Sequence, residues 1–552
     1  MIKTEWYKKG VFYQIWPRSF KDGNGDGMGD LYGVISKLDY IKSLGVDGIW
    51  FSPLYPSPGV DCGYDISDYM DIDPAYGGMS AFRDLLDQAH SRGLKVIMDL
   101  VVNHTSDEHE WFQKSRRRID PYTDYYIWRP GKKGGKLPNN WDSHFEGKAW
   151  QWDDVRGEYY LHLFAIKQPD LNMDNPLVRQ EVVRILNFWL EMGVDGFRED
   201  VITFISKKEG LPSDRLMPAT RGIRFYNNGP HIHEYLQQFR REALDRFDCV
   251  TIGEAPLISP EKALDYIGGD QRDLDMMIQF QCMCANCFFI DYYPRPFSLR
   301  KLKKSFRTWQ ETLDGRGWNM LYLENHDHPR VVSRYGSERL RDKSAKALCC
   351  AYMFQKGTPF VYQGQELGMT NFKVTGLSDF EDVQTLNQFT WLPKGLRLKL
   401  LARASRDHAR TPMQWDSGEH AGFSACEPWF HLNENYRRGI NVESEESNPC
   451  SVLNFYRKAI ALRKETGCVL SGVYREYKRR SRRHYVYAME SESESLLVVI
   501  SFSEKTTRFT LPLAYQFREL TLRLSNYEKE PQGDVLRPYE ARVYTVKQQS
   551  SR

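Results

Sequence analysis

No stretch of this sequence holds the roughly 18 consecutive apolar residues that a membrane-spanning helix needs. The opening segment, MIKTEWYKKGVFYQIWPRSF, has neither the apolar h-region nor the small-residue cleavage site of a secretory signal. An excess of one charge is missing too, since 76 basic residues face 73 acidic ones for a formal +3. Nucleic-acid binders carry a concentrated basic footprint. The basic runs here, Arg116 to Arg118 and Lys478 to Arg483 with Ser481 interrupting, are short and read as solvated faces. The ten cysteines form no regular disulfide framework, and Cys349 and Cys350 are adjacent. Together these absences predict a cytoplasmic protein with reduced thiols and no membrane or nucleic-acid partner. Cys282, Cys284 and Cys287 (CMCANC) are close enough to suggest soft metal ligands, but no fourth Cys or His follows nearby, so buried thiols are the expectation.

What is present is ordered and aromatic. Hydrophobic residues make up 41% and charged residues 27%, enough apolar surface for a sizeable core. Aromatics reach 14%, including 14 Trp and 32 Tyr, and planar rings suit sugar faces as well as cores. Short apolar runs recur at 11–16, 46–51, 95–101, 194–200, 249–255, 275–280, 319–325 and 359–364, separated by helix-like amphipathic segments such as SAFRDLLDQAHSRG and RQEVVRILNFWLEMG. Eight buried strands alternating with helices predict an α/β fold, a parallel (β/α)8 TIM barrel. The stretch 104–174 is too long for a structureless loop and reads as an inserted subdomain. From about 471 the chain turns to β-rich runs without helical period. The expected organisation is therefore barrel over 1–103 and 175–470, insert over 104–174, and an antiparallel β domain over 471–552.

Function in such a barrel sits at the C-terminal ends of its strands. There the sequence concentrates acids: Asp99, Asp200, Glu254 and Asp327 each fall at the close of an expected strand, with Asn103, His104, Arg198, Asn325 and His326 beside them. Carboxylates avoid packed cores, so four on one rim call for a chemical role. Strand residues two apart share a face, so Arg198 and Asp200 point together into the barrel mouth while Glu199 points toward the helices. An Arg beside Asp200 favours its ionised form, and the apolar run before Glu254 suits a carboxyl that keeps its proton. One charged and one protonated acid close together are the apparatus of a retaining glycosidase.

The segments DLVVNHTSDEHEWF, GFREDVI, TIGEAP and LENHDHPR resemble, in order, the four signature regions of the α-amylase superfamily (glycoside hydrolase family 13). The resemblance runs along nearly the whole chain. It implies the barrel, an inserted B domain and a C-terminal β-sandwich. It also implies Asp200 as nucleophile, Glu254 as acid/base, and Asp327 as the third carboxylate, holding the 2- and 3-hydroxyls of the glucose in subsite −1. His104, His326 and Arg198 match polar groups around that sugar. Tyr64 would stack on it, and Asp61 with Arg406 would grip its far hydroxyls, closing the pocket at one end. The implied partner is a small oligosaccharide, and the protein would act as a monomer or weak homo-oligomer.

QPDLN (168–172) and RDHARTPMQW (406–415) resemble the oligo-1,6-glucosidase and dextran glucosidase branch, where a Val after the nucleophile, here Val201, goes with α-1,6 preference. DGNGDGMGD (22–30) lacks the twelfth-position Glu of an EF-hand. It resembles the branch's shorter structural calcium loop, with Asp22, Asn24, Asp26, Asp30 and the Met28 carbonyl as ligands. The sequence departs from the branch at Glu199, usually apolar, at Cys62 and His328, and across 279–296. Glu199 on the outward strand face needs a partner. The implied activity is a retaining α-glucosidase on short α-glucosides, with α-1,6 linkages preferred. Trehalose-6-phosphate hydrolase and a sucrose-acting isomerase or transglucosylase remain alternatives on the same fold.

Overall fold

The computed structural model describes residues 4–145, 147–215, 220–270, 272–288, 290–529 and 533–546. Eight parallel strands build the centre: β1 (Phe12–Ile15), β2 (Gly48–Phe51), β3 (Lys95–Leu100), β4 (Gly196–Glu199), β5 (Val250–Glu254), β6 (Met276–Ile278), β7 (Met320–Leu321) and β8 (Thr358–Tyr362). Hydrogen-bonded neighbours run β7-β8-β1-β2-β3-β4-β5-β6, and a single parallel bridge, Met277 to Asn319, joins the two ends into a ring. All eight expected runs are strands, although the seventh shrinks to two residues. Nearly every strand residue is buried, as helices on the outside and side chains on the inside demand.

Two local devices bring the reactive strands together. β4 pairs with β5 through Gly196 to Val250 and Arg198 to Ile252. A Cβ on Gly196 would lie 2.3 Å from the Val250 carbonyl oxygen, so only glycine lets β4 enter the ring at this spacing. The helix Pro176–Met192, which delivers the chain to β4, starts at Asn175, whose side chain accepts the Leu177 N–H, with Pro176 in its first turn. It ends at Gly193, whose φ of 112° is the left-handed cap that glycine adopts without strain. Its Val178, Val182, Ile185, Leu186, Trp189 and Leu190 are buried at helical spacing, each contributing about 1.5–3 kcal/mol.

Between β3 and β4 lies a three-stranded antiparallel sheet with Glu158–Leu161 at its centre, flanked by Trp128–Arg129 and Trp150–Asp153. Much of the aromatic content packs here, with Trp128 stacked on Phe112 at 5.5 Å and Trp141 stacked on Phe225 at 6.1 Å. The second pair crosses elements, because Trp141, Leu161 and Leu163 share one apolar cluster with Val201, Phe204, Leu211 and Tyr226 from the segment after β4. The insert is thus docked on the chain that follows Asp200. At the C-terminal end, Val473–Tyr477, His484–Glu490, Ser495–Ser501, Ala541–Val546 and Leu520–Ser525 form a five-stranded antiparallel sheet in that order, with a two-stranded sheet beside it. The buried Glu476 ties it to the barrel through Lys303 at 3.2 Å and Arg307 at 2.7 Å. No described helix is long and apolar enough to cross a membrane, and the described residues contain no disulfide.

Candidate active site

At the C-terminal end of the ring, a pocket is lined by Asp61, Tyr64, His104, Asp200, Val201, Glu254, Asp327 and Arg406, with walls from Phe145, Phe164, Phe204 and Phe280. Its floor is organised by Arg198, which is 1% exposed. Nη1 of Arg198 donates to Asp99 Oδ1 at 2.7 Å and to Asp200 Oδ1 at 2.8 Å, and Nη2 reaches Glu254 Oε1 at 2.8 Å. Arg198 and Asp200 share the inward face, as the two-residue strand period requires. Asp99 lies one residue inside β3 rather than at its end, and its backbone pairs with Arg198 across the strands. Asp327 stands in the loop beyond β7.

Three carboxylates around one guanidinium in a buried site raise one another's proton affinity. Burial pushes Asp99 up to about 6 against the pull of Arg198. Burial also drives Asp200 well above its ordinary value, with Arg198 opposing and Glu254, Asp99 and Asp327 adding to the rise. Arg198 pulls on Asp200 in the expected direction, while burial and three neighbouring acids work against it. The surroundings expected for Glu254 also change. Its Oε1 rests on a guanidinium and its Oε2 accepts the Val201 N–H at 3.0 Å, where an apolar setting was expected. That contact holds Val201 at φ 35° and ψ 39°, a left-handed conformation that costs a β-branched residue about 1–3 kcal/mol.

The other side of the pocket is built around His326. Gln14 Nε2 lies 2.7 Å from its Nδ1, which assigns the proton to Nε2. Nε2 faces Tyr64 Oη at 2.7 Å and Asp327 Oδ2 at 3.1 Å. One face of the Tyr64 ring is taken by His326, stacked at 5.5 Å and 10°. Burial would raise Asp327, but His326, Arg406 and Arg410 outweigh it and hold the carboxyl well below the usual range. Arg406 bridges Asp327 Oδ1 at 3.1 Å and Asp61 Oδ1 at 3.2 Å, so the two ends of the expected grip do meet. Burial lifts Asp61 to about 6 despite Arg406. Burial also lowers His104 to about 4, leaving it neutral beside the Tyr64 carbonyl at 3.2 Å.

A match to the family model for the α-amylase catalytic domain spans residues 14–472. The chain belongs to the α-amylase family. This family member is a glycoside hydrolase, and its branch is that of the oligo-1,6-glucosidases. It is 47% identical to an oligo-1,6-glucosidase of Parageobacillus thermoglucosidasius, covering 99% of this chain and 100% of the relative. Among solved structures it resembles the trehalose-6-phosphate hydrolase of Bacillus licheniformis, with a TM-score of 0.93 at 42% identity over 98% of this chain and 100% of that one. It also resembles a trehalulose synthase from Pseudomonas mesoacidophila, with a TM-score of 0.93 at 39% identity over 98% and 99% of the two chains.

Some residues of the site in this α-amylase-family enzyme carry no local signal. Gln168 of the QPDLN segment places Nε2 3.3 Å from Asp61 Oδ2 and 3.2 Å from His104 Nε2, joining the insert to the sugar pocket. Lys207 bonds Asp170 Oδ2 and Asn103 Oδ1, each at 2.8 Å, and so locks the insert to the segment after Asp200. Asp382, from the excursion after β8, lies behind Arg406. A charged residue in a loop is ordinarily a surface residue, and nothing in its spacing reports a partner far along the chain.

The loop at 22–30 wraps its donors around its own backbone. Asp22 Oδ1 accepts the N–H groups of Asn24 and Gly25 at 3.0 and 2.6 Å, and Asp30 Oδ2 those of Gly23 and Asn24 at 3.1 and 3.0 Å. Asn24 Oδ1 accepts the Asp26 N–H and Asp26 Oδ1 the Met28 N–H, at 2.9 and 2.8 Å. The side-chain and carbonyl donors are all hard oxygens, the class calcium takes, so the residues fit that ion by chemistry. Among the described residues no three His, Cys, Asp or Glu side chains converge as a metal cluster. The same observation covers Cys282, Cys284 and Cys287, of which Cys282 donates to the Tyr322 carbonyl and Cys287 to that of Met283, each at 3.6 Å.

Proposed function

We propose that this enzyme is a retaining α-glucosidase that releases terminal glucose from short α-glucosides. One observation carries the reading: a single guanidinium, Arg198, holds the carboxylates of Asp200 and Glu254 on its two terminal nitrogens at the floor of a pocket closed by Asp61 and Arg406. Acids sharing one guanidinium suit the roughly 5–5.5 Å separation of a retaining pair better than the wider gap that leaves room for an attacking water.

In this mechanism Asp200 attacks the anomeric carbon while Glu254 gives its proton to the departing glycosidic oxygen. Glu254 then takes a proton from water, which cleaves the glucosyl-Asp200 ester. Arg198, released in part from Glu254 when that acid is protonated, stays on Asp200 and favours the anion that attacks. Asp327, held ionised, accepts hydrogen bonds from sugar hydroxyls, and the Arg406–Asp61 pair blocks extension of the chain beyond the terminal glucose.

For linkage, the reading favours α-1,6. Val201 presents an apolar, branched wall beside the acid, with no hydroxyl to bind a secondary alcohol of the leaving sugar. A phosphorylated leaving group would call for a basic clamp. Among the described residues lining the pocket, Arg406 is the one Lys or Arg, and it is already committed to Asp61, Asp327 and Asp382. Initial rates on isomaltose, panose, maltose, sucrose and trehalose 6-phosphate test the reading. Isomaltose and panose should lead, and a dominant rate on trehalose 6-phosphate would overturn it.

A further inference from the structure

The geometry points to Asp382 as a positioning residue that aims Arg406 into subsite −1 and so sets how tightly the terminal sugar is held. This rests on the α-glucosidase reading above and goes further, to a residue outside the pocket. Asp382 is fully buried and does not line the pocket, whereas Arg406 does. Its Oδ1 receives Arg406 Nε at 3.0 Å, Arg406 Nη2, and Arg410 Nη1 at 3.2 Å. Its Oδ2 receives the Thr385 N–H at 2.8 Å and the Thr385 hydroxyl at 2.7 Å. Burial would raise this carboxyl, but Arg406 and Arg410 outweigh it and hold it at about 2. Both of its oxygens are fully engaged by donors.

The consequence lies in how Arg406 is shared. With Nε and one side of Nη2 fastened to Asp382, the guanidinium plane is fixed, and the remaining N–H bonds reach Asp327 through Nη1 and Asp61 through Nη2. A planar fork anchored along one edge presents the other edge at a set angle. The backbone is tied at the same point, because Asp407 Oδ2 accepts the N–H groups of Glu381 and Asp382 at 3.0 and 3.2 Å. Without the anion, Arg406 keeps two carboxylate partners, both in the pocket. It would then settle onto Asp61 and Asp327 and compete with the sugar hydroxyls those acids bind. The loss falls on ground state and transition state alike, because it concerns hydroxyls remote from the anomeric carbon. The signature is a change in KM with little change in kcat.

Asp382→Asn is the test variant. Asn is isosteric and an equally good N-cap for the short helix Val383–Asn387, so the fold is retained while the charge goes. An aryl α-glucoside serves as substrate because its leaving group makes no demand on the linkage-sensing side, and glucose inhibition reports subsite −1 without chemistry. The expected result is a rise in KM and in the glucose inhibition constant of about 10–100-fold, the range for a lost charged hydrogen bond, with kcat within about fivefold. Thr385→Ala is the companion. It removes a hydroxyl from the far side of the same carboxylate and should lower thermal stability while leaving KM within about twofold, so that a KM rise confined to Asp382→Asn is separated from lost stability. Unchanged KM and glucose inhibition in a folded Asp382→Asn, or a fall confined to kcat, would overturn the assignment. An unaltered enzyme that turns over no α-glucoside would instead overturn the α-glucosidase reading itself.

Discussion

Glu199 offers the most direct physical test of the barrel's interior. It lies between two site residues but on the opposite strand face, 2% exposed, with Oε2 buried and without a hydrogen-bond partner. Burial pushes its carboxyl up to about 8, with Arg240 pulling down and Asp275 and Asp273 pushing up. The sequence demands a partner for a charged acid here, and the fold meets the demand by keeping the acid protonated. In the unfolded chain a Glu titrates near 4.3. An acid whose folded value is raised leaves stability intact below the unfolded value and withdraws it as pH climbs toward the folded one. The loss should therefore run from about pH 4 to pH 8. Between pH 5 and pH 7 it amounts to about 2.5 kcal/mol, at 1.36 kcal/mol per unit once titration is under way.

Glu199→Gln abolishes that titration. Its absolute stability depends on how the amide fits, but its advantage over the parent should grow by about 2.5 kcal/mol from pH 5 to pH 7. For a chain of 552 residues that is a shift of about 2 °C in the difference between the two Tm values. Paired thermal scans at fixed rate and ionic strength, at half-unit pH steps, provide the readout. A Tm difference flat across this range would refute the claim that Glu199 takes up a proton on folding.

Asp200→Asn should lower kcat by several orders of magnitude while leaving the circular dichroism spectrum and Tm near those of the parent, and near-normal turnover would remove Asp200 as nucleophile. Val201→Thr should move the isomaltose-to-maltose rate ratio toward maltose, whereas an unchanged ratio would mean that Val201 only packs. If the loop at 22–30 holds calcium, chelation should lower Tm and added calcium should restore it, with no change in kcat/KM at temperatures well below the transition. A Tm indifferent to chelator would leave the loop as a set of Asx turns.

Much of the site could be read in the chain because its logic is local. A strand period of two puts Arg198 beside Asp200 and turns Glu199 away, whatever else the molecule does. Strand ends in a barrel share one rim, so Asp200 and Glu254 had to approach one another once the alternation of strands and helices was recognised. Helix signals at Asn175, Pro176 and Gly193 likewise need only neighbours in sequence. What the tertiary structure decided is where distant loops converge. The docking of Trp141 against the 222–226 segment, the Gln168 link from the insert to Asp61, the lock of Lys207 on Asp170 and the hold of Asp382 on Arg406 join residues with no shared period. The balance of charge was decided there as well. Proton affinity depends on burial and on every charge within reach, and only three-dimensional packing sets four acids around Arg198 and His326 while placing Glu199 among Arg240, Asp273 and Asp275 on the other face.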